Sequence, residues 1–471
     1  MITFPEHFIW SSATSSYQIE GAANIDGKGP SIWDTYCKTK GKINDKSSGD
    51  VSIDSYHLYQ KDIDALKFLG VNQYRFSISW PRILPDGLAG NVNLQGVQYY
   101  KNLIKGLKEA NIEPVITLYH WDLPQKLQDI GGWLNSDIAG WFRNYAEVCF
   151  TEFGDNVKRW VTINEPHMLC KCAYGATKDF ELAPGDAMDQ GSTYPYIVAK
   201  NILLAHAEAV HLYREKFGNG TIGMGFNVEW FQAKNGADEE EANLAKLAFD
   251  FQFGFFAHPI YIGDYPASVI EKMEEWRKKE RTEESRLNLL TKEEVERIKG
   301  TSDYLGLNYY VTFEVAKIDK VDEMTGDFEK DVGVTLSMND KWSYVGDRNG
   351  NEQPYYPEGL TQILLYIKEH LGNTPVLILE NGCMDDEKEG LEDISRINFF
   401  KAHLTAVHKA IEQGCNVKGF TVWSCFDNFE WFHGYAYKYG LFRVNHKSVE
   451  KERIPKASAK WYKKVIKKNA F

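Results

Sequence analysis

The sequence predicts a single (β/α)₈ TIM barrel of the α/β class with extended βα loops, occupying residues 1–471 as one domain. Three observations support this. Eight short apolar stretches are rich in β-branched and aromatic residues, helical patterns follow most of them, and no Pro/Gly/Ser-rich linker divides the chain. Barrels typically have about 250 residues and exceed 400 when their loops are long. A doubly wound open sheet is the alternative, but its usual Gly-rich phosphate loop is missing.

The eight predicted strands are short runs that begin with "FIWSSAT" and end with "VKGFTVW". They lie at 8–14, 72–79, 114–119, 159–164, 221–227, 303–308, 375–380 and 417–423. Helical spacing of apolar residues predicts helices at 62–70, with Gly70 as a C-cap, and at 97–110. The charged stretch 314–355 is the best candidate for the extra loop length, and we expect it to be a surface excursion.

Composition narrows the class of protein and its partners. Apolar residues make up 43 % of the 471 and charged residues 25 %, which is typical of a globular chain. A net charge of −12 argues against a nucleic-acid partner, because phosphate binding needs a basic surface. No run of about 18 apolar residues is present, so we expect no membrane span. The N-terminus "MITFPEHFIW" lacks a signal-peptide pattern, so a cytoplasmic protein and a mature secreted form both remain open.

The cysteine pattern predicts neither a disulfide framework nor a metal site. Seven cysteines are an odd number at low density. Cys170 and Cys172 form only a C-x-C pair, and no second Cys/His pair stands at ligand spacing. We therefore expect no metal and no cofactor. The oligomeric state stays open between a monomer and a homodimer.

Polar and aromatic residues recur where the predicted strands end, and the carboxyl ends of barrel strands converge on one site. In "VTINEP", for example, an ionisable Glu165 directly follows a hydrophobic run, where an unused buried charge would be costly. The strand-end candidates, including those for substrate binding, are Gln18, Arg75, His120, Trp121, Asn164, Glu165, Asn308, Tyr310, Glu380, Trp423, Glu430 and Trp431.

Two glutamates in one such ring, Glu165 and Glu380, match the requirements for hydrolysing a glycosidic bond. One carboxyl protonates the leaving oxygen, and the other stabilises or attacks the anomeric carbon. Tryptophans offer flat faces to sugar rings, and amides and histidines bind hydroxyls. A structural reading is simpler for each residue alone, since strand-end carboxylates, a core His120 or a bridging Arg75 are all common. The combination favours catalysis.

These residues resemble glycoside hydrolase family 1, the β-glucosidase family, over nearly the whole chain. "FIWSSATSSYQIEGA" is similar to the family's N-terminal signature, with Ser11 where Gly is usual. "YHWDLP", "TINEP", "LILENG" and "TVWSCFDNFEWFHGY" match further motifs in order, and the style is most like insect members, including insect myrosinases. The resemblance implies a retaining β-glycosidase that removes terminal β-D-glucosyl residues from a small β-glucoside by double displacement.

By this resemblance, Glu165 is the acid/base and Glu380 the nucleophile, and Arg75 and Tyr310 would favour the charged form of Glu380. The family's sugar contacts map onto Gln18, His120, Trp121, Asn164, Trp423, Glu430 and Trp431. Glu430 would bind the 4- and 6-hydroxyls. Phospho-glycosidases of the family use Ser and Lys in that stretch, so a carboxylate there argues against sugar phosphates.

On the leaving-group side, the resemblance implies contacts from His167, Lys171 and Trp342. Insect myrosinases carry a Lys that matches Lys171, and it would attract the sulfate of a glucosinolate. A thioglucosidase is therefore one alternative, although positions 311–313 read Val-Thr-Phe and lack a second basic contact. An ordinary solvated lysine is the simpler reading of Lys171. A non-catalytic sugar-binding module is a second alternative, disfavoured because both glutamates are present.

Overall fold

The computed structural model describes residues 1–175, 180–185, 193–318, 327–346 and 353–471. Eight parallel strands form a closed barrel in which each strand pairs with its neighbour in sequence and the last pairs with the first. They are β1 (Ile9–Ala13), β2 (Gln73–Ser77), β3 (Glu113–Tyr119), β4 (Arg159–Asn164), β5 (Thr221–Asn227), β6 (Leu305–Asn308), β7 (Val376–Asn381) and β8 (Val417–Trp423). The predicted fold class is confirmed, and strand ends differ from the predicted ones by no more than about two residues.

Long helices surround the barrel in the described part of the chain. They are α1 (Ser55–Leu69), α2 (Leu94–Glu109), α3 (Ile138–Phe153), α4 (Tyr194–Lys216), α5 (Glu239–Phe249), α6 (Ala267–Glu280), α7 (Pro357–His370), α8 (Ile394–Glu412) and α9 (Ala457–Lys468). Gly70 ends α1 with a φ of 77°, as predicted, because that conformation carries no steric cost without a Cβ. Within the described ranges, no helix is both long enough and apolar enough to cross a bilayer.

Shorter elements connect these helices and strands. The short α-helices are Ser16–Ile19, Ile32–Tyr36, Trp80–Ile83, Gln125–Gln128, Pro166–Met168, Phe255–Tyr261, Lys292–Ile298 and Phe328–Val332. Single turns of 3₁₀ helix lie at Gly132–Leu134 and Trp431–His433, and π-helical turns lie at Leu169–Ala173 and Asp250–Gly254. The strands outside the barrel are Trp230–Ala233, Thr312–Lys317, Val334–Ser337, Ser343–Val345, Gln353–Tyr355, Phe442–Val444 and Arg453–Pro455.

The barrel interior is a packed core rather than a pore. Val115, Val161, Leu377 and Leu379 point inward from three strands, and Tyr304 joins them from the segment before β6. A Cβ on Gly306 would lie 2.4 Å from a Leu379 methyl carbon, so only glycine fits against that side chain. Each buried aliphatic side chain contributes about 1.5–3 kcal/mol. These packed side chains therefore close the barrel interior below the polar residues at the carboxyl ends of the strands.

The stretch 314–355 is not a surface excursion in its described part, and that expectation is wrong. Strands Trp230–Ala233, Thr312–Lys317 and Val334–Ser337 form a three-stranded sheet, and helix Phe328–Val332 precedes the last of them. Phe328, Val332 and Val334 are buried. The many charged residues of this stretch suggested a surface location, but they alternate with apolar residues that are buried. The extra length folds over the carboxyl end of the barrel and supplies one wall of the cavity there.

Candidate active site

A cavity of about 880 Å³ opens at the carboxyl ends of the barrel strands. Eleven residues predicted from the sequence lie in its wall: His120, Trp121, Asn164, Glu165, Lys171, Asn308, Tyr310, Glu380, Trp423, Glu430 and Trp431. We call the part around the predicted sugar contacts the glycone half. The part formed by Lys171, Asn227, Glu229, Phe313, Asp327 and Glu329 is the aglycone half. Strand ends scattered over the sequence thus meet in one site.

Glu380, at the end of β7, is held by two strong donors. Arg75 Nη1 donates to its Oε1 at 2.6 Å, and the Tyr310 hydroxyl donates to its Oε2 at 2.7 Å. Burial raises the pKa of Glu380, while the charge of Arg75 and the Tyr310 hydrogen bond act in the opposite direction. Both donors favour the carboxylate form, because charge-assisted hydrogen bonds are stronger than neutral ones.

Glu165, directly after β4, accepts a hydrogen bond from a neutral donor rather than from a charged one. Asn308 Nδ2 donates to its Oε1 at 2.7 Å. Burial and then the charge of Glu380 raise the pKa of Glu165 to about 8, although Asn308 and Arg75 act to lower it. Asn308 also contributes a hydrogen bond that lowers the pKa of Glu380. The two carboxyl groups therefore flank one amide side chain, and the proton that they share near neutral pH belongs on Glu165.

Asn164 lies between the two glutamates and the predicted sugar contacts. Its Oδ1 accepts from Arg75 Nη2 at 2.6 Å and from Asn308 Nδ2 at 3.1 Å, which leaves Nδ2 directed to His120 Nε2 at 3.3 Å. Trp121 Nε1 donates to the Asn164 carbonyl at 3.0 Å. Burial and the charge of Arg75 hold the pKa of His120 well below its usual value, so the imidazole is neutral. Neutral donors and acceptors suit sugar hydroxyls.

Glu430 lies in the loop after β8 and is oriented by two amides. Asn428 Nδ2 donates to its Oε2 at 3.2 Å and Gln18 Nε2 at 3.4 Å. Gln18 is itself anchored to the Phe429 carbonyl at 2.8 Å and to the Ser15 hydroxyl at 2.6 Å. Burial raises the pKa of Glu430 to about 8, against the effect of Asn428. Hydroxyl donors from a bound sugar would favour its carboxylate form.

Three residues of the site have left-handed backbone conformations. Trp121, Glu165 and Trp431 have φ values of 77°, 52° and 49°. Such conformations disfavour residues with a Cβ and persist where the surroundings determine them. At Glu165 the strained residue joins β4 to helix Pro166–Met168, and this turn directs the carboxyl group into the cavity.

The structure places the predicted aglycone contacts in three different environments. Lys171 lies in the cavity wall, but its ammonium group forms an ion pair with Glu329, and its side chain is only 18 % exposed. It is therefore not an ordinary solvated lysine. His167 and Trp342 are outside the cavity wall formed by the described residues. His167 is buried and stacks on Phe328 at 5.1 Å, and Trp342 stacks on Tyr356 at 5.0 Å.

Two acceptors that the sequence reasoning missed come from the end of β5. Asn227 is the last residue of that strand, and Glu229 follows two positions later; both lie in the cavity wall. Strand β5 is among the predicted strands, and the strand-end rule that identifies Glu165 also applies to Asn227 and Glu229. Asp327 and Glu329 carry no such signal, because they belong to the inserted helix region.

The fold and the paired glutamates define a (β/α)₈ glycoside hydrolase. The family model for Glycosyl hydrolase family 1 matches residues 1–471, and the chain belongs to this family. Beta-glucosidase 11 of Oryza sativa subsp. japonica is 39 % identical over 490 residues, which cover 99 % of this chain and 89 % of that relative. The chain is 40 % identical to Lactase/phlorizin hydrolase of Homo sapiens over 472 residues, 99 % of this chain but only 24 % of that relative's length. The solved structure "Aphid myrosinase" matches with a TM-score of 0.93 and 38 % identity over 100 % of both chains.

Proposed function

We propose that this enzyme hydrolyses terminal β-D-glucosyl residues from small, non-phosphorylated O-glucosides with retention of configuration. One observation carries the proposal: Glu380 accepts hydrogen bonds from both Arg75 and Tyr310, which favour its carboxylate form, whereas Glu165 accepts from the neutral amide of Asn308 and its pKa is raised to about 8. Two carboxyl groups with divergent proton affinities are what an acid and a nucleophile require. Both glutamates flank Asn308, which favours the separation of about 5–5.5 Å typical of retaining enzymes.

In the first step, Glu380 attacks the anomeric carbon while Glu165 donates its proton to the leaving oxygen. The glucosyl group is then bonded to Glu380, and the aglycone leaves as an alcohol. Asn164 would hold the 2-hydroxyl with an N–H of its amide, since its oxygen already accepts from Arg75 and Asn308. This contact strengthens as positive charge develops on the sugar ring.

In the second step, water replaces the aglycone. Glycosylation removes the charge of Glu380, and that charge is the main electrostatic contribution that raises the pKa of Glu165. The pKa of Glu165 therefore falls, and its carboxylate accepts a proton from the attacking water. Cleavage of the ester bond regenerates Glu380 and releases β-glucose.

The thioglucosidase alternative is favoured by the likeness to "Aphid myrosinase". The contacts of Lys171 argue against it here. A lysine that clamps a sulfate must have its charge available, but this ammonium group is paired with Glu329. Val311 and Phe313, which also line the cavity, supply no second cation. An O-glucosidase therefore fits the described residues better.

The test combines stereochemistry with a substrate panel. Proton NMR of the first-formed sugar should show the β-anomer, and initial release of the α-anomer would refute the double displacement. Aryl β-glucosides and cellobiose should be cleaved more efficiently than glucosinolates. A glucoside 6-phosphate should be a poor substrate, because the amides around Glu430 offer no cation to a phosphate dianion.

A further inference from the structure

We propose that the aglycone half of the cavity binds a leaving group that carries a positive charge, such as an alkylammonium or quaternary ammonium group. This inference rests on the proposed glucosidase function and adds the chemical class of the aglycone. Its basis is Glu229, a carboxyl group that forms no ion pair with any of the described residues.

Ion pairs account for the two cations in this wall among the described residues. Lys171 pairs with Glu329. Lys330 lies 3.5 Å from Asp327, and Asp327 Oδ1 also accepts from the backbone amides of Glu329 and Lys330 as the N-cap of helix Phe328–Val332. Among the described residues of this wall, three carboxyl groups therefore face two lysines, and Glu229 is the one without an ion pair of its own.

Glu229 is that remaining carboxylate. Its Oε2 is inaccessible to solvent and has no hydrogen-bond partner among the described residues. Its charge raises the pKa of Glu165 and of Lys171, so it lies within electrostatic reach of both the acid and the wall lysine. A buried unpaired carboxylate is costly, and its usual remedies are a proton or a cationic partner.

A second, independent observation concerns Asn227, which is only 7 % exposed. Its Oδ1 has no partner within the described part of the chain, although its Nδ2 lies 3.5 Å from His167 Nδ1. The missing partner of Asn227 must be a donor, because a carbonyl oxygen only accepts. Both unsatisfied groups are therefore acceptors, and one of them is an acid.

The neighbouring wall also suits a cation. Val228, Val311 and Phe313 supply apolar surface beside the two acceptors. Aromatic faces attract ammonium groups, and apolar surface accommodates their methyl or methylene carbons. An anionic aglycone would instead meet Glu229, and the described residues of this wall offer no free cation to balance it. The same wall thus discriminates between leaving groups by charge.

The test separates binding from turnover. Three carbon-linked β-glucosyl benzenes, which have no cleavable glycosidic oxygen, would carry the para substituents trimethylammoniomethyl, neopentyl and sulfomethyl. The first two have the same shape and differ in charge. Titration calorimetry with the native enzyme should give about tenfold tighter binding of the cation than of its neutral isostere, and weaker binding of the sulfonate.

The charge of Glu229 is tested by Glu229→Gln, which keeps the side-chain shape. The cation-to-neutral affinity ratio should fall to about one in this variant. Glu109→Gln, a matched change on the exposed end of α2 at the opposite face of the barrel, should leave the ratio unchanged. Equal affinities in the native enzyme, a preference that survives Glu229→Gln, tightest binding of the sulfonate, or no binding of the cation would each overturn the inference. Hydrolysis of a neutral aryl glucoside measures the proposed function separately.

Discussion

The glycone half of the cavity is built from side chains at the ends of barrel strands, whereas one wall of the aglycone half comes from an inserted sheet and helix. Glu380, Asn164 and Glu165 share one continuous set of hydrogen bonds through Arg75 and Asn308. On the other side, Lys171 meets Glu329, which lies 158 residues further along the chain. The proposed chemistry therefore rests on the barrel, whereas the surroundings of the leaving group combine residues after β5, such as Glu229, with residues of the insertion, such as Glu329.

The two halves also differ in how their charges are satisfied. In the glycone half, Glu380 and Glu430 each accept two side-chain hydrogen bonds. In the aglycone half, Glu229 Oε2 has no partner among the described residues, while neutral acceptors without a described partner occur in both halves, as Asn308 Oδ1 and Asn227 Oδ1. A fully hydrogen-bonded network holds one geometry, whereas a buried acceptor without a partner can take a further hydrogen-bond donor or a cation. Substitutions in the first half should therefore affect every substrate, and those in the second should depend on the aglycone.

The largest effect is expected from Glu380→Ala. Loss of the nucleophile should lower kcat by roughly 10⁴-fold or more for every β-glucoside. Added azide should restore turnover and give the α-glucosyl azide, because the small anion attacks from the vacated side. Product analysis by NMR checks this, and formation of the β-azide would contradict the assignment.

Glu165→Ala should give a smaller loss that varies with the leaving group. Proton donation contributes about 10²–10⁴-fold, so a glucoside of a weakly acidic phenol should lose that much. A 2,4-dinitrophenyl glucoside needs little protonation and should retain most of its glycosylation rate in single-turnover measurements. Equal losses on both substrates would assign Glu165 to another role.

Glu430→Ala should weaken all substrates alike. Hydrogen bonds to a charged group contribute about 1.5–3 kcal/mol, which corresponds to roughly 10- to 100-fold in kcat/KM. The loss should be constant over neutral, cationic and anionic aglycones, since Glu430 lies in the glycone half. A loss of kcat/KM that depends on the aglycone would contradict the proposed division of the cavity into two halves.

Lys171→Met and Glu329→Gln should each lower the free energy of unfolding by about 1–3 kcal/mol, because each leaves a partly buried charge without its partner. The double variant should recover part of the loss, as measured by denaturant titration in a double-mutant cycle. Lys105 and Glu109, an exposed pair on α2 at 3.8 Å, provide the control and should show little coupling. Additive losses at Lys171 and Glu329 would mean that the lysine is available to ligands.

The smallest effect concerns pH. Glu165 must carry a proton in the free enzyme, so kcat/KM should be maintained below its pKa of about 8 and fall as pH rises through it. The charge of Glu229 helps to raise that pKa, so Glu229→Gln should shift the alkaline limb to lower pH. An unchanged or upward shift would show that the two halves are electrostatically independent.

The barrel and the glycone half were predictable because both follow local rules. Short apolar runs gave the eight strands, and residues such as Glu165 and Glu380 stand directly at strand ends. The prediction that Arg75 would support Glu380 is matched by their 2.6 Å hydrogen bond. Strand periodicity fixes which residues reach the carboxyl face, so the sequence carries this information directly.

The aglycone half was not predictable in the same way. No periodicity relates Lys171 to Glu329, because their contact depends on how the inserted sheet folds over the barrel. Trp342 likewise stacks on Tyr356 rather than in the cavity wall. Tertiary contacts between distant loops set these positions. Asn227 and Glu229 are the exceptions, since their positions at and just after the end of β5 are predictable from the sequence.

The left-handed backbone at Glu165 has an evolutionary consequence. An L-residue with a side chain loses roughly 1–2 kcal/mol in this conformation, and glycine does not. A measurement of melting temperature should therefore place Glu165→Gly above Glu165→Ala. In a lineage that is no longer selected for hydrolysis, Glu165→Gly would relieve this backbone strain and at the same time remove the proposed acid. Such a change leaves the barrel strands and the predicted sugar contacts in place, so one substitution at this position separates the proposed hydrolysis from sugar binding.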